Sequence, residues 1–136
     1  MARVCCLAAV SAEDVQVLGA ALEGAGEPAT TIVTHLDVPA LKRIAPDVLV
    51  ADLDRCQSDP LEKLRQLRFV LPSCVIVVYT ANMQPSWGRD CHLAGASCLL
   101  SKESHRLQLQ SGLRQAMKSG CFTDVHFSVD GLKGAV

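Results

Sequence analysis

Short, nearly unbroken apolar runs alternate along this chain with stretches whose apolar residues recur every three or four positions. The runs cover residues 3–9, 30–34, 47–52, 74–79 and 97–101. Their continuity, most marked in Cys74-Val-Ile-Val-Val-Tyr79, is that of strands covered on both faces rather than on one. The intervening stretches read as amphipathic helices. Ser11 caps one over residues 12–24, with Val15, Leu18 and Leu22 on one face, and a short one follows at 38–44. Asp59, Pro60 and Glu62 form the N-cap, N1 and N3 of a capping-box start, Leu61, Leu64 and Leu67 give the stripe, and Pro72 stops that helix. A weaker helix spans 85–94, closed by Gly95, and a last one spans 103–118, with Leu109, Leu113 and Met117 aligned before Gly120. Five strands each followed by a helix predict an α/β domain. It is a (βα)5 open parallel sheet of flavodoxin-like type with right-handed crossovers and helices on both faces.

Residues 1–120 form the predicted domain, and 121–136 read as a tail or linker, with Val125, Phe127 and Val129 before Asp130-Gly131 also compatible with a short hairpin. A length of 136 residues, 49% hydrophobic and 20% charged, suits one globular domain. Thirteen Lys+Arg against fourteen Asp+Glu, with no basic run beyond Lys42-Arg43, leaves no electrostatic footprint for nucleic acid or an anionic membrane. The apolar runs are too short to span a bilayer, and the start carries no signal-peptide pattern, so a cytoplasmic location is expected. Seven cysteines (Cys5, Cys6, Cys56, Cys74, Cys91, Cys98 and Cys121) include no C-x-x-C pair. Those in strands read as small hydrophobes, while Cys56 falls in a predicted loop.

In a sheet of this kind ligands bind beyond the carboxyl ends of the strands. Three strands end there in polar residues: Asp52 after the third, Thr80 after the fourth, Lys102 after the fifth. A carboxylate, a hydroxyl and an ammonium at one edge suit phosphoryl chemistry, with Asp52 as nucleophile, Lys102 neutralising charge and Thr80 binding a phosphoryl oxygen. An unrelated small α/β enzyme is the weaker reading. No Gly-rich loop follows the first strand, where Ala9-Val10-Ser11 leads into a helix, and adjacent Cys91 and His92 point apart.

Pro46-Asp-Val-Leu-Val-Ala-Asp-Leu53, Val77-Val-Tyr-Thr-Ala81 and Leu93-Ala-Gly-Ala-Ser-Cys-Leu-Leu-Ser-Lys102 resemble the signature regions of receiver domains from two-component response regulators. The resemblance covers roughly residues 3 to 120. It implies strand order 2-1-3-4-5, a non-enzymatic signalling role, and Asp52 as phosphoacceptor with Thr80 as switch hydroxyl and Lys102 as phosphoryl-contacting lysine. It also implies a histidine kinase or phosphotransfer protein as donor, a protein output partner, and Mg²⁺ as cofactor. Homodimerisation stays open. The implied docking surface, the fourth helix, fifth strand and fifth helix, carries Trp87, Arg89, His92, Ser104 to Arg106 and Arg114.

The departures are as informative. The family's acidic pair after strand one, which with the phosphoacceptor holds Mg²⁺, is Ala8-Ala9 here. Mg²⁺ demands near-octahedral oxygen ligation, so Asp52 and Asp54 alone predict weak binding at most. The loop proline is Cys56, the loop glycine Pro60 and the aromatic switch residue Leu99. Two readings therefore stand side by side: a phosphoacceptor at Asp52, and a phosphorylation-independent pseudo-receiver. In the second, Asp52–Lys102 is expected to be a partly exposed pair contributing about 1 kcal/mol or less.

Overall fold

A computed structural model describes residues 4–26, 30–56, 58–120 and 122–123. The strands are β1 (Cys5–Ala8), β2 (Thr30–Val33), β3 (Val48–Asp52), β4 (Val75–Thr80), β5 (Cys98–Ser101) and β6 (Phe122–Thr123). The helices are α1 (Ala12–Gly24), α2 (Val38–Ile44), α3 (Pro60–Val70), α4 (Pro85–Ala94) and α5 (Arg106–Ser119). All strand pairs are parallel, in the order β2-β1-β3-β4-β5-β6. The 2-1-3-4-5 order expected for the first five is thus present. Phe122–Thr123, at the start of the segment read as a tail, add a short sixth strand beside β5. Cys121 and the hairpin reading of 125–131 lie outside the described residues.

Alternation along each strand sends side chains to two cores. Cys6, Ala8, Leu49, Ala51, Ile76, Val78 and Leu99 pack with Leu41, Leu64, Leu67 and Cys91, the buried faces of α2, α3 and α4. Cys5, Leu7, Val48, Val50, Val77, Tyr79 and Leu100 pack with Leu18, Leu22, Leu109 and Leu113 from α1 and α5. Every residue of β4 after Val75 is buried, as its unbroken apolar run requires. Each such aliphatic side chain contributes about 1.5–3 kcal/mol by leaving water. The strand cysteines are small hydrophobes as expected. Burial pushes the Cys6 thiol up to about 11 and that of Cys74 to about 12, and Cys91, buried on α4, also reaches about 12.

Two boundaries and one cap differ from the sequence expectation. Ala9 leaves β1 with φ 61, a left-handed conformation that turns the chain toward α1. Asp59 caps α3 by accepting the Leu61 and Glu62 amides, but Glu62 pairs with Arg65 at 3.1 Å, so the capping box is half made. Helix α5 begins at Arg106, not Glu103. The Ser101 hydroxyl accepts the Glu103 N–H at 3.0 Å, and the Ser104 N–H reaches the Ser101 carbonyl, so that stretch is a turn.

One side chain ties the sheet's opposite end together. Arg68 of α3 donates to the carbonyls of Gly95, Leu71, Pro72 and Cys74 and to the Ser97 hydroxyl, all within 3.2 Å. Gly95, at φ 125, is required beside it, because a Cβ there would lie 2.6 Å from Arg68 Cβ.

Candidate functional site

The register sets the site. Asp52 pairs with Tyr79 and Thr80 with Ser101, so the ends of β3, β4 and β5 lie level, and Lys102 follows directly. Asp52 and Thr80 are fully buried, because each ends a strand whose preceding residues are core. The structure brings together all three residues that the sequence singled out. Lys102 Nζ lies 2.7 Å from Asp52 Oδ2, and it stacks 5.7 Å from the Tyr79 ring centre.

Asp54 enters the same cluster, at its centre. The Asp52 Oδ1 accepts the Asp54 N–H at 3.0 Å, an Asx turn that folds the chain back over the edge of the sheet. The Asp54 carboxylate then receives the Thr80 hydroxyl at 2.6 Å on Oδ1 and the Ala81 N–H at 2.7 Å on Oδ2, with Lys102 Nζ 3.2 Å from Oδ2. Thr80 Oγ1 also accepts the Asn82 N–H at 3.0 Å, which leaves its proton for Asp54. Asp52 Oδ2 has no hydrogen-bond partner among the described residues beyond the Lys102 ion pair.

Two carboxylates therefore share one ammonium. Burial alone would lower the Lys102 pKa, but the hydrogen bond and charge of Asp52, followed by those of Asp54, outweigh it and hold the ammonium above its usual value. The expected partial exposure of the Asp52–Lys102 pair holds on the lysine side alone. The Lys102 side chain is 21% exposed but that of Asp52 is 0%, so the carboxylate depends on the lysine for its charge balance.

Mg²⁺ does not fit these residues. Ala8 and Ala9 offer no side-chain oxygen, both Asp54 oxygens are engaged by protein donors, and Asp52 is held by an ammonium. No group of three or more His, Cys, Asp and Glu side chains suited to a metal occurs among the described residues. Beside Ala9 lies a cavity of about 510 Å³, lined also by Thr34, His35, Leu36, Arg55, Cys56, Ser58 and Lys63. Its charged walls are cationic, the reverse of what a metal requires. This feature was not legible in the sequence, because His35, Arg55 and Lys63 come from three separate segments.

The expected docking surface has a mixed composition. Trp87 is half-buried against the α2–α3–α4 core, and the Arg114 guanidinium donates to the Gly24 carbonyl at 2.9 Å, which ties α5 to α1. Arg89, His92 and Arg106 are exposed. The structure adds two leucines that the sequence reading did not assign to this surface, Leu93 on α4 and Leu107 on α5, exposed by 87% and 72%. Leu99, at the place of the family's aromatic switch, is buried in β5. Among the described residues, no helix is long and apolar enough to cross a membrane.

No protein-family description matches the chain, and no curated protein matches it in sequence. Solved structures do match it in fold. A LuxR-family two-component response regulator from Aurantimonas sp. SI85-9A1 superposes with a TM-score of 0.82 at 17% identity, covering 99% of each chain. The isolated REC domain of RcsB from Salmonella enterica serovar Typhimurium, in the presence of phosphomimetic BeF3−, gives 0.77 at 18% identity over 94% of this chain and 97% of that one. A response regulator from Thermotoga maritima gives 0.75 at 17% over 88% and 100%. This chain has the receiver-domain fold, with the flavodoxin-like strand order.

Proposed function

We propose that this protein is a response-regulator-type receiver module of a signalling system, cytoplasmic, acting by binding a protein partner rather than by catalysis, and independently of phosphorylation. The observation that carries the reading is the Asp52–Thr80–Lys102 cluster at one sheet edge, with Ala8 and Ala9 at the end of β1 in place of carboxylates. Moving a phosphoryl group onto a buried carboxylate requires cationic charge at the attacking oxygen and at the transferred group. Among the described residues, the cation in contact with Asp52 is Lys102, and it is already shared between two carboxylates. Leu93 and Arg89 on α4, and Leu107 and Arg106 on α5, are exposed apolar and basic side chains of the kinds that protein partners use.

A specific observation favours a second reading, in which Asp52 accepts a phosphoryl group from a histidine kinase or phosphotransfer protein. The 2.7 Å pairing of Asp52 with Lys102, and the buried Thr80 in the same cluster, are the arrangement that reaction uses. Incubation with a small phosphodonor and Mg²⁺, followed by intact mass, separates the two. The first reading expects no mass gain on the wild-type chain. A stoichiometric gain that Asp52→Asn abolishes would establish the second.

A further inference from the structure

Three donors converge on the Asp54 carboxylate from parts of the chain far from it in sequence. They are the Thr80 hydroxyl at 2.6 Å, the Ala81 amide at 2.7 Å and the Lys102 ammonium at 3.2 Å. A hydroxyl, an amide and an ammonium aimed at one point form an oxyanion-binding subsite. Its filling group is the protein's own. We propose that Asp54 is a tethered anion that occupies this subsite and excludes free tetrahedral oxyanions from it, and that removing the carboxylate turns the cluster into a binding site for inorganic phosphate. The inference rests on reading this cluster as an anion pocket.

The hydrogen bonding points the same way. Thr80 is fully buried, and its oxygen already accepts from Asn82, so its proton has one direction available, into the pocket. The Ala81 amide is turned inward beside it. Charge completes the argument. With Asp52 and Asp54 both ionised against Lys102, the pocket carries a net negative charge and repels a second anion. Without Asp54 the remaining Asp52–Lys102 pair is neutral, and the Thr80 hydroxyl and Ala81 amide are left without their acceptor. Without Asp52 as well, the pocket is positive. An alternative is that Asp54 merely brackets the β3–α3 and β4–α4 loops. That role predicts a change in stability on substitution and no change in anion affinity.

The test is titration of inorganic phosphate into the full chain, followed through the backbone amide signals of Ala81 and Lys102. Asp54→Ala is expected to show saturable shifts at these two amides, with affinity at least about tenfold above wild type, since the occupied state scales down the apparent affinity by the fraction of molecules that are open. Asp54→Ala with Asp52→Asn is expected to bind more tightly still. Asp54→Asn, which keeps the shape of the side chain, is expected to bind phosphate more tightly than wild type and serves if the alanine variant does not fold. Phosphate titrating alike in wild type and in the folded variants, or moving no amide in either, would overturn the proposal. A covalent mass gain on wild type would instead contradict phosphorylation independence, so the two failures are distinguishable.

Discussion

Replacing Lys102 by Met keeps an unbranched side chain of similar reach and removes the ammonium, together with its contact to the Tyr79 ring. In the native protein that ammonium lies 2.7 Å from Asp52 and 3.2 Å from Asp54. Breaking a fully buried ion pair from one side costs about 3–5 kcal/mol, whereas an exposed pair is worth about 0.2–1 kcal/mol. Here the side chains of Lys102 and Asp54 are 21% and 25% exposed and that of Asp52 is 0%. Solvent screening discounts the buried figure, and about 2–3 kcal/mol is expected, most of it from stranding Asp52. In a domain of this size that lowers Tm by roughly 6–15 °C. The Lys102 pKa is raised on folding, so its contribution is fully present below the ordinary value of 10.5 and is lost as pH rises through the folded one. The penalty of Lys102→Met should accordingly be flat between pH 7 and 9 and shrink only in strong alkali. Urea unfolding followed by far-UV circular dichroism measures it. Repeating the pair of measurements in an Asp52→Asn background should reduce the penalty by at least about 1 kcal/mol. A Lys102→Met protein within about 0.5 kcal/mol of wild type, or an equal loss in both backgrounds, would refute the reasoning.

Three further outcomes follow from the fold. Val77→Asp places an unpaired carboxylate in a fully buried strand position and should cost several kcal/mol, measured by thermal melting. Arg68→Met leaves the carbonyls of Gly95, Leu71, Pro72 and Cys74 without their shared donor and should cost about 2–4 kcal/mol in urea, with the amide signals near Gly95 shifting most. Iodoacetamide on the native protein at pH 7.5 should label Cys56, which is half-buried in a loop, and spare Cys5, Cys6, Cys74, Cys91 and Cys98. Peptide mass mapping reads the pattern.

What was legible in the sequence follows from where local signals suffice. The unbroken apolar run of β4 and the Asp59-Pro60 start of α3 fix their elements without outside help, and the alternation of strands and helices carries the topology. Asp52, Thr80 and Lys102 were legible because each directly ends a strand or follows one, and a parallel sheet aligns those ends. The role of Asp54 was not, since its direction depends on an Asx turn off Asp52 and on donors from β4 and β5. A carboxylate two residues after a strand-end Asp was the one available hint. The start of α5 was misplaced because the Ser101 hydroxyl captures the Glu103 amide, an effect that a helical apolar pattern does not register. The Arg68 tie and the cationic cavity at Arg55 depend on loops meeting in space.

The proposed lack of Mg²⁺ binding separates this account most sharply from a phosphorylating receiver. Titrating Mg²⁺ into the protein while following backbone amide shifts measures it directly. Ala8 and Ala9 supply no ligand, and the Asp54 oxygens are already taken, so the amides of Asp52, Asp54 and Ala81 should show no saturable shift at Mg²⁺ concentrations up to about 10 mM. Saturation at low-millimolar Mg²⁺, with shifts centred on Asp52 and Asp54, would contradict the account.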